Sequence, residues 1–218
     1  KVILAEKMGV WSDQSFSFVQ AGGVLTFLEA WIGILCFTFQ IYFDFSAYSD
    51  IALGLGLLFG LKLPVNFLSP YKASSIIEFW RLWHITLSRF LKNYLYFPLG
   101  GSKVGKYRKY LNLILVMLLG GLWHGAGWTF ILWGLFHGIL LSINHFFRSF
   151  IVLFNLKSLF ENYICLNFFK ILTFLFVAIG WVLFRSADLN VALSFYSSLF
   201  GFNGFFLPNH YESYFESL

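Results

Sequence analysis

Apolar residues fill the stretch 24–43, VLTFLEAWIGILCFTFQIYF, almost without interruption. At 1.5 Å per residue it is long enough to cross a hydrocarbon core of about 30 Å. Glu29 and Gln40 within it are expected to face protein rather than lipid. The polar cluster FDFSAYSD predicts a break over 44–50. A second helix is expected over 47–63, with Ser46 or Ser49 as its N-cap and Asp50 in its first turn. Gly54, Gly56 and Gly60 thin one side of it, a spacing that permits close helix contact. Pro64 and Pro70 in the connector LPVNFLSPY stop it. Residues 74–96 keep one helical stripe of Ile77, Trp80, Trp83 or His84, Leu87 and Leu91, while Glu78, Arg81, Arg89 and Lys92 fall off it. That many charges exclude a lipid-buried span, and an interfacial or re-entrant helix fits. Further spans are predicted over 110–123, 127–147 and 166–184, with a polar break at Gly125-Ala126-Gly127 and a stop at Arg185. Residues 190–200 read as a short amphipathic, interfacial helix. No repeat or low-complexity linker interrupts the series. The pattern predicts an all-α, polytopic transmembrane helical bundle forming a single membrane domain over 1–218.

Composition excludes the soluble alternative. Of 218 residues, 59% are hydrophobic and only 11% charged, where soluble domains carry about 25% charged residues. Mean hydropathy is +0.74. The net charge of +5 is unevenly spread. Lys103, Lys106, Arg108 and Lys109 crowd the loop 100–110, which the positive-inside rule places on the cytoplasmic side. Nucleic acid is not the expected partner of this cluster, because it abuts a span; membrane lipids are. Cys36 and Cys165 lie far apart in apolar surroundings and read as packing residues. Residues 1–13 lack a basic n-region and a cleavage site, so no signal peptide is expected. The sequence opens on Lys1 and ends in PNHYESYFESL, and a piece of a longer chain with further flanking helices is expected.

Against this background the titratable groups stand out. The stretch 120–138, GGLWHGAGWTFILWGLFHG, carries two histidines and no Lys, Arg, Asp or Glu. His124 lies fourteen residues beyond Tyr110, roughly 20 Å along a straight helix, and an intramembrane ionisable residue is a functional candidate. Gly120, Gly121, Gly125 and Gly127 are expected to remove bulk where a substrate approaches, with Trp123 and Trp128 as walls. An imidazole there can take a proton from a hydroxyl and make the oxygen nucleophilic, which suits acyl transfer to an alcohol. No Ser-His-Asp triad accompanies it. His84 is the second candidate, with Arg81 one turn before and Ser88 one turn after. Arg81 and Arg89 suit a phosphate or carboxylate of an acyl donor, or lipid headgroups. Arg81, Ser88, Trp123 and Trp128 form the expected substrate-binding set. His137 and His145 share a helical face but match no zinc pattern, so no metal is expected. His137 is expected to bond across helices and His145 to meet the interface beside Arg148. Asp44 and Asp50 read as caps rather than as an acid/base pair.

Three stretches in order, FQIYFDFSAYSDIALGLGLLFGLKLPVNF, FWRLWHITLSRFLKNYLYFPLGG and LLGGLWHGAGWTFILWGLFHG, resemble the membrane-bound O-acyltransferase family. The resemblance is to its bacterial alginate O-acetyltransferase-like branch and the related D-alanyl transfer proteins, and runs to about residue 204. It implies that His124, in Trp123-His124-Gly125, is the catalytic base or relay, and that His84 is the second active-site position. It also implies a helical ring around a membrane-thinned tunnel, with 1–218 as the central or C-terminal part of that core. By the same resemblance the protein is a multi-pass enzyme of the bacterial inner membrane. It moves an acetyl group from acetyl-CoA, as substrate rather than bound cofactor, to an exported polysaccharide such as alginate. Periplasmic esterase-like acetylation proteins are the implied partners. D-alanyl transfer to a cell-wall polymer, a transporter without acyl transfer, and a scaffold docking a partner at the basic loop are the alternatives. The sequence leaves the acceptor, the acyl group and the oligomeric state open.

Overall fold

The computed structural model of the chain describes residues 1–156, 160 and 162–205; the tail 206–218 of the expected domain lies outside them. Eight α-helices are seen among the described residues: α1 Val2–Gln20, α2 Phe27–Leu58, α3 Ile76–Leu82, α4 Ile85–Leu91, α5 Lys106–His124, α6 Trp128–Leu153, α7 Tyr163–Arg185 and α8 Leu189–Leu199. A 3-10 turn, Pro70–Lys72, precedes α3, and a π turn, Lys92–Tyr96, extends α4. Among these residues α2, α6 and α7 are long and apolar enough to cross a membrane, with mean hydropathies of 1.3, 1.5 and 2.0. α5 is not one of them; its first turn carries Lys106, Arg108 and Lys109. On α6 the exposed residues Ile139, Ile143, Phe146 and Phe150 repeat every three or four positions. Trp133, Gly134, His137, Gly138 and Leu141 are buried on the opposite side. An exposed apolar stripe of this length is a liability in water and an asset in lipid. The chain is a membrane protein.

The chain divides into two compact units, one of Lys1–Ala47 with Trp181–Leu218, the other of Tyr48–Gly180. In the first unit, α1 buries Ala5, Gly9, Ser12, Phe16 and Val19, a stripe at helical spacing. Phe16 stacks on Phe195 of α8 at 4.3 Å between ring centroids. Arg185 closes α7 by pairing with Asp13 at 2.6 Å, and Asp188 caps α8 by accepting from the Val191 amide at 3.0 Å. Glu29 and Gln40 face protein. Glu29 accepts from the Thr26 amide and hydroxyl at 2.9 and 3.0 Å, and the Gln40 amide fills the space over Gly9.

Two expected boundaries are corrected. The break over 44–50 does not form, and α2 runs through it. The cluster FDFSAYSD holds neither Pro nor Gly, so its Ser and Asp residues are capping types without an interruption to cap. The Ser46 hydroxyl turns back onto the Phe43 carbonyl at 3.5 Å. The helix also ends before Pro64. Gly60 adopts φ +73°, and the Leu61 amide donates to Gly56 O at 2.8 Å, a left-handed C-terminal cap that needs no proline. Gly54 and Gly60 make no close contact. The intimate helix pair is instead the α5–α6 hairpin. There a Cβ on Gly121 would strike the Phe130 carbonyl, and one on Gly134 the Met117 carbonyl.

A further correction concerns residues 74–96, which form two helices rather than one. Ser75 caps α3 through the Glu78 amide at 3.2 Å. The helix stops at Trp83, and His84 takes φ 43°, ψ 55° as the N-cap of α4. The predicted stripe is nevertheless buried on both sides of the break, with Ile77 7%, Trp80 8%, Trp83 3%, Leu87 9% and Leu91 7% exposed.

Candidate functional site

The break at His84 is held by the connector that follows α2. The Leu68 amide donates to Leu82 O and the Ile85 amide to Asn66 O, both at 3.0 Å. These bonds satisfy backbone groups that a helix interruption would strand. Trp83 packs between Phe67 at 5.0 Å and Phe79 at 5.6 Å, and the Ser88 hydroxyl donates to Trp83 O at 3.4 Å. A left-handed residue with a side chain costs about 1–3 kcal/mol and persists only where its surroundings impose it. Here they aim the His84 ring.

Asn66 Oδ1 accepts from the Thr86 amide at 3.2 Å and the Thr86 hydroxyl at 3.0 Å. The amide N–H can only donate, so the Asn66 atom facing it is oxygen. That same oxygen lies 3.3 Å from His84 Nδ1. Nδ1 therefore carries the proton, and in the neutral ring Nε2 holds the lone pair. α3 and α4 are not among the apolar spans. Burial pushes the His84 ring from its ordinary value down to about 4, with the nearby His124 adding to the fall. His84 is thus an uncharged acceptor of fixed tautomer.

His124 is the last residue of α5, at the tip of the hairpin. Trp123 joins it to His84. Its ring lies 4.9 Å from the His124 ring and 6.4 Å from the His84 ring, and Trp123 is 64% exposed. On its other side, His124 meets the buried Trp133 edge to face at 5.3 Å. Behind them His137 is fully buried. It accepts from Trp80 Nε1 at 3.3 Å through Nδ1, a bond across helices that secures α3 to α6.

Of the expected site residues, the structure brings together His84, His124 and Trp123. Trp128 begins α6 and is 69% exposed, with no ring contact to either histidine among the described residues. Ser88 serves the helix break. Arg81 is exposed on α3 and lines a separate cleft with Arg148. The glycines expected to open a chamber pack instead: Gly120 lies against Leu91 and Gly125 against the Phe130 ring. Asn66 was missed. Its only signal is one amide in the apolar connector LPVNF, eighteen residues before the histidine it holds.

The sequence profile of the membrane-bound O-acyltransferase family matches residues 13–187. The chain is 49% identical over 208 residues to the peptidoglycan O-acetyltransferase of Helicobacter pylori, covering 94% of this chain and 37% of that protein. It is 42% identical over 218 residues to the probable alginate O-acetylase AlgI of Azotobacter vinelandii, covering 100% and 41%. A teichoic acid D-alanyltransferase of Streptococcus thermophilus is 38% identical over 113 residues, covering 49% and 27%. The chain therefore spans about two fifths of the length of its near-full matches.

Proposed function

Because the chain belongs to the membrane-bound O-acyltransferase family, we propose that the protein transfers an acetyl group from acetyl-CoA to a hydroxyl of an exported cell-envelope polysaccharide. The single observation that carries the reading is the pair of histidines sharing Trp123, one of them fixed by Asn66 with Nε2 as its acceptor nitrogen.

In this reading His124 takes the proton of the acceptor hydroxyl. The oxygen attacks the thioester carbonyl carbon and forms a C–O bond. The C–S bond then breaks, and coenzyme A leaves as the thiol with the proton that His124 returns. His84 Nε2 accepts a hydrogen bond from a second hydroxyl of the same sugar and so orients the ring, and Trp123 offers it a flat face. Ser88 supports this arrangement through the Trp83 carbonyl, at the break that carries His84.

The protein sits in the bacterial inner membrane as a multi-pass chain with loop 100–110 on the cytoplasmic side, so that donor and acceptor meet His124 from opposite faces. Periplasmic esterase-like proteins complete delivery to the polymer. The relatives' names include alginate and peptidoglycan, and both polymers offer sugar hydroxyls. D-alanyl transfer is the second reading, supported by the teichoic acid D-alanyltransferase that matches half of the chain.

The test is the acetyl content of exported polysaccharide in cells making the full-length protein with His124→Ala at normal abundance. The proposal expects acetylation to fall about a hundredfold or more; unchanged acetylation would remove His124 from the reaction.

A further inference from the structure

A second polar feature lies in the unit Tyr48–Gly180, apart from the histidines. α3, α6 and α7 enclose a cleft of ≈350 Å³ that none of His84, Trp123 and His124 lines. Phe147 and Phe169 are among its apolar lining residues, and Arg81 and Arg148 line it from different helices. Both arginines are exposed. Glu78 also lines the cleft, but its carboxylate accepts from the Ser74 amide and hydroxyl at 2.7 and 2.8 Å. That carboxylate sits in the first turn of α3, where the helix dipole favours it. Asn144, in the same wall, has a buried Oδ1 with no partner among the described residues.

The arrangement selects a class of ligand. Two guanidiniums on separate helices match the several oxygens of a phosphate, each in a flat fork. The apolar lining residues Phe147 and Phe169 suit the hydrocarbon part of the same molecule. Arg148 stands five residues before the end of α6, and Leu166 of the cleft three residues into α7. Both positions are near the ends of apolar helices, where headgroups and soluble carriers meet a membrane protein.

We propose that this cleft binds a phosphate ester, gripped by Arg81 and Arg148, with the ligand's apolar portion on Phe147 and Phe169. Such an ester comes from a phospholipid headgroup or from a soluble acyl carrier. Arg81 lies in the last turn of α3, three residues before the break at His84, so an occupant touches the element that carries His84.

The test uses the full-length protein in phosphate-free maltoside micelles, with thermal unfolding as the readout. Coenzyme A is titrated from solution in one arm, and phosphatidylglycerol is added to the micelles in the other. A rise in Tm with coenzyme A alone identifies a soluble carrier, with phosphatidylglycerol alone a lipid, and with both a shared phosphate site. Each of Arg81→Gln and Arg148→Gln is expected to weaken the effective probe about tenfold or more, while Arg89→Gln, outside the cleft, leaves it unchanged. Should a glutamine variant not be recovered folded, Arg81→Lys and Arg148→Lys keep the charge but lose the fork, and are expected to weaken binding less. No rise in Tm with either probe, or a rise that survives unchanged in the Arg81 and Arg148 variants, overturns the proposal. Binding is read without acyl transfer, so this result is independent of the proposed reaction.

Discussion

Asn66 decides which nitrogen of His84 is basic, and the consequence is measurable. Asn66→Ala removes the acceptor for Nδ1–H and frees the ring to take the other tautomer or turn. Acetyl transfer by the full-length protein is expected to lose about tenfold or more in kcat with little change in KM for acetyl-CoA. Asn66→Asp restores the acceptor and adds a carboxylate, which favours the charged imidazole. It is expected to recover much of the rate while moving the acidic limb of the pH–rate profile upward. A purely structural Asn66 would leave that limb in place. The lowered pKa of His84 has its own signature. In the unfolded chain the ring gains its proton near its ordinary value of 6.5, whereas in the folded protein it does so only at about 4. Folding stability tied to His84 is therefore present above pH 6.5 and lost as pH falls through the window toward 4. Thermal unfolding across that window is expected to fall more steeply for the native protein than for His84→Gln. The histidines were visible in the sequence because titratable groups are rare in apolar surroundings. Asn66 was not, since nothing in a connector's composition tells which distant ring its amide will meet.

At the scale of helices, glycine acts through backbone proximity, and two positions make the contrast. Gly134→Ala drives a Cβ into the Met117 carbonyl across the α5–α6 hairpin. Backbones cannot yield as a side-chain tip can, and the variant is expected to lose about 1–3 kcal/mol, read as a lower Tm. Gly54→Ala on α2 meets nothing within 4 Å, and is expected to hold or raise the Tm because alanine favours helix by about 0.5–1 kcal/mol. The sequence showed Gly54, Gly56 and Gly60 as a small-residue face but could not show what faced them. Where apolar periodicity and a stop signal coincide, as at Arg185 and Gly125-Ala126-Gly127, the helix ends were legible. They failed where a local preference competed with continuity. Ser46, Ser49 and Asp50 are capping residues by type, yet α2 continues through them. At His84 the reverse holds: the stripe through Trp80, Trp83, Leu87 and Leu91 persists across a break made by tertiary hydrogen bonds from 66–68. The amphipathic face of α1 was overlooked, because its buried Gly9 and Ser12 are not apolar by type.

For the molecule as a whole, the order of three sequence stretches was enough to recognise the family, and the match over residues 13–187 established it. The arrangement within the site was beyond sequence, because it rests on a left-handed histidine, a hairpin tip and an amide from a third segment meeting in space. Lys106, Arg108 and Lys109 stand in the first turn of α5, where the helix dipole opposes positive charge. The central claim is that His84 and His124 serve one reaction at one site. A double-mutant cycle on the full-length protein tests it, with acetyl transfer measured for His84→Gln, His124→Gln and the pair together. Groups acting as a unit are non-additive, so the double variant is expected to be no slower than the worse single. Losses that multiply independently, or a His124→Gln protein as active as the native one, would contradict the account.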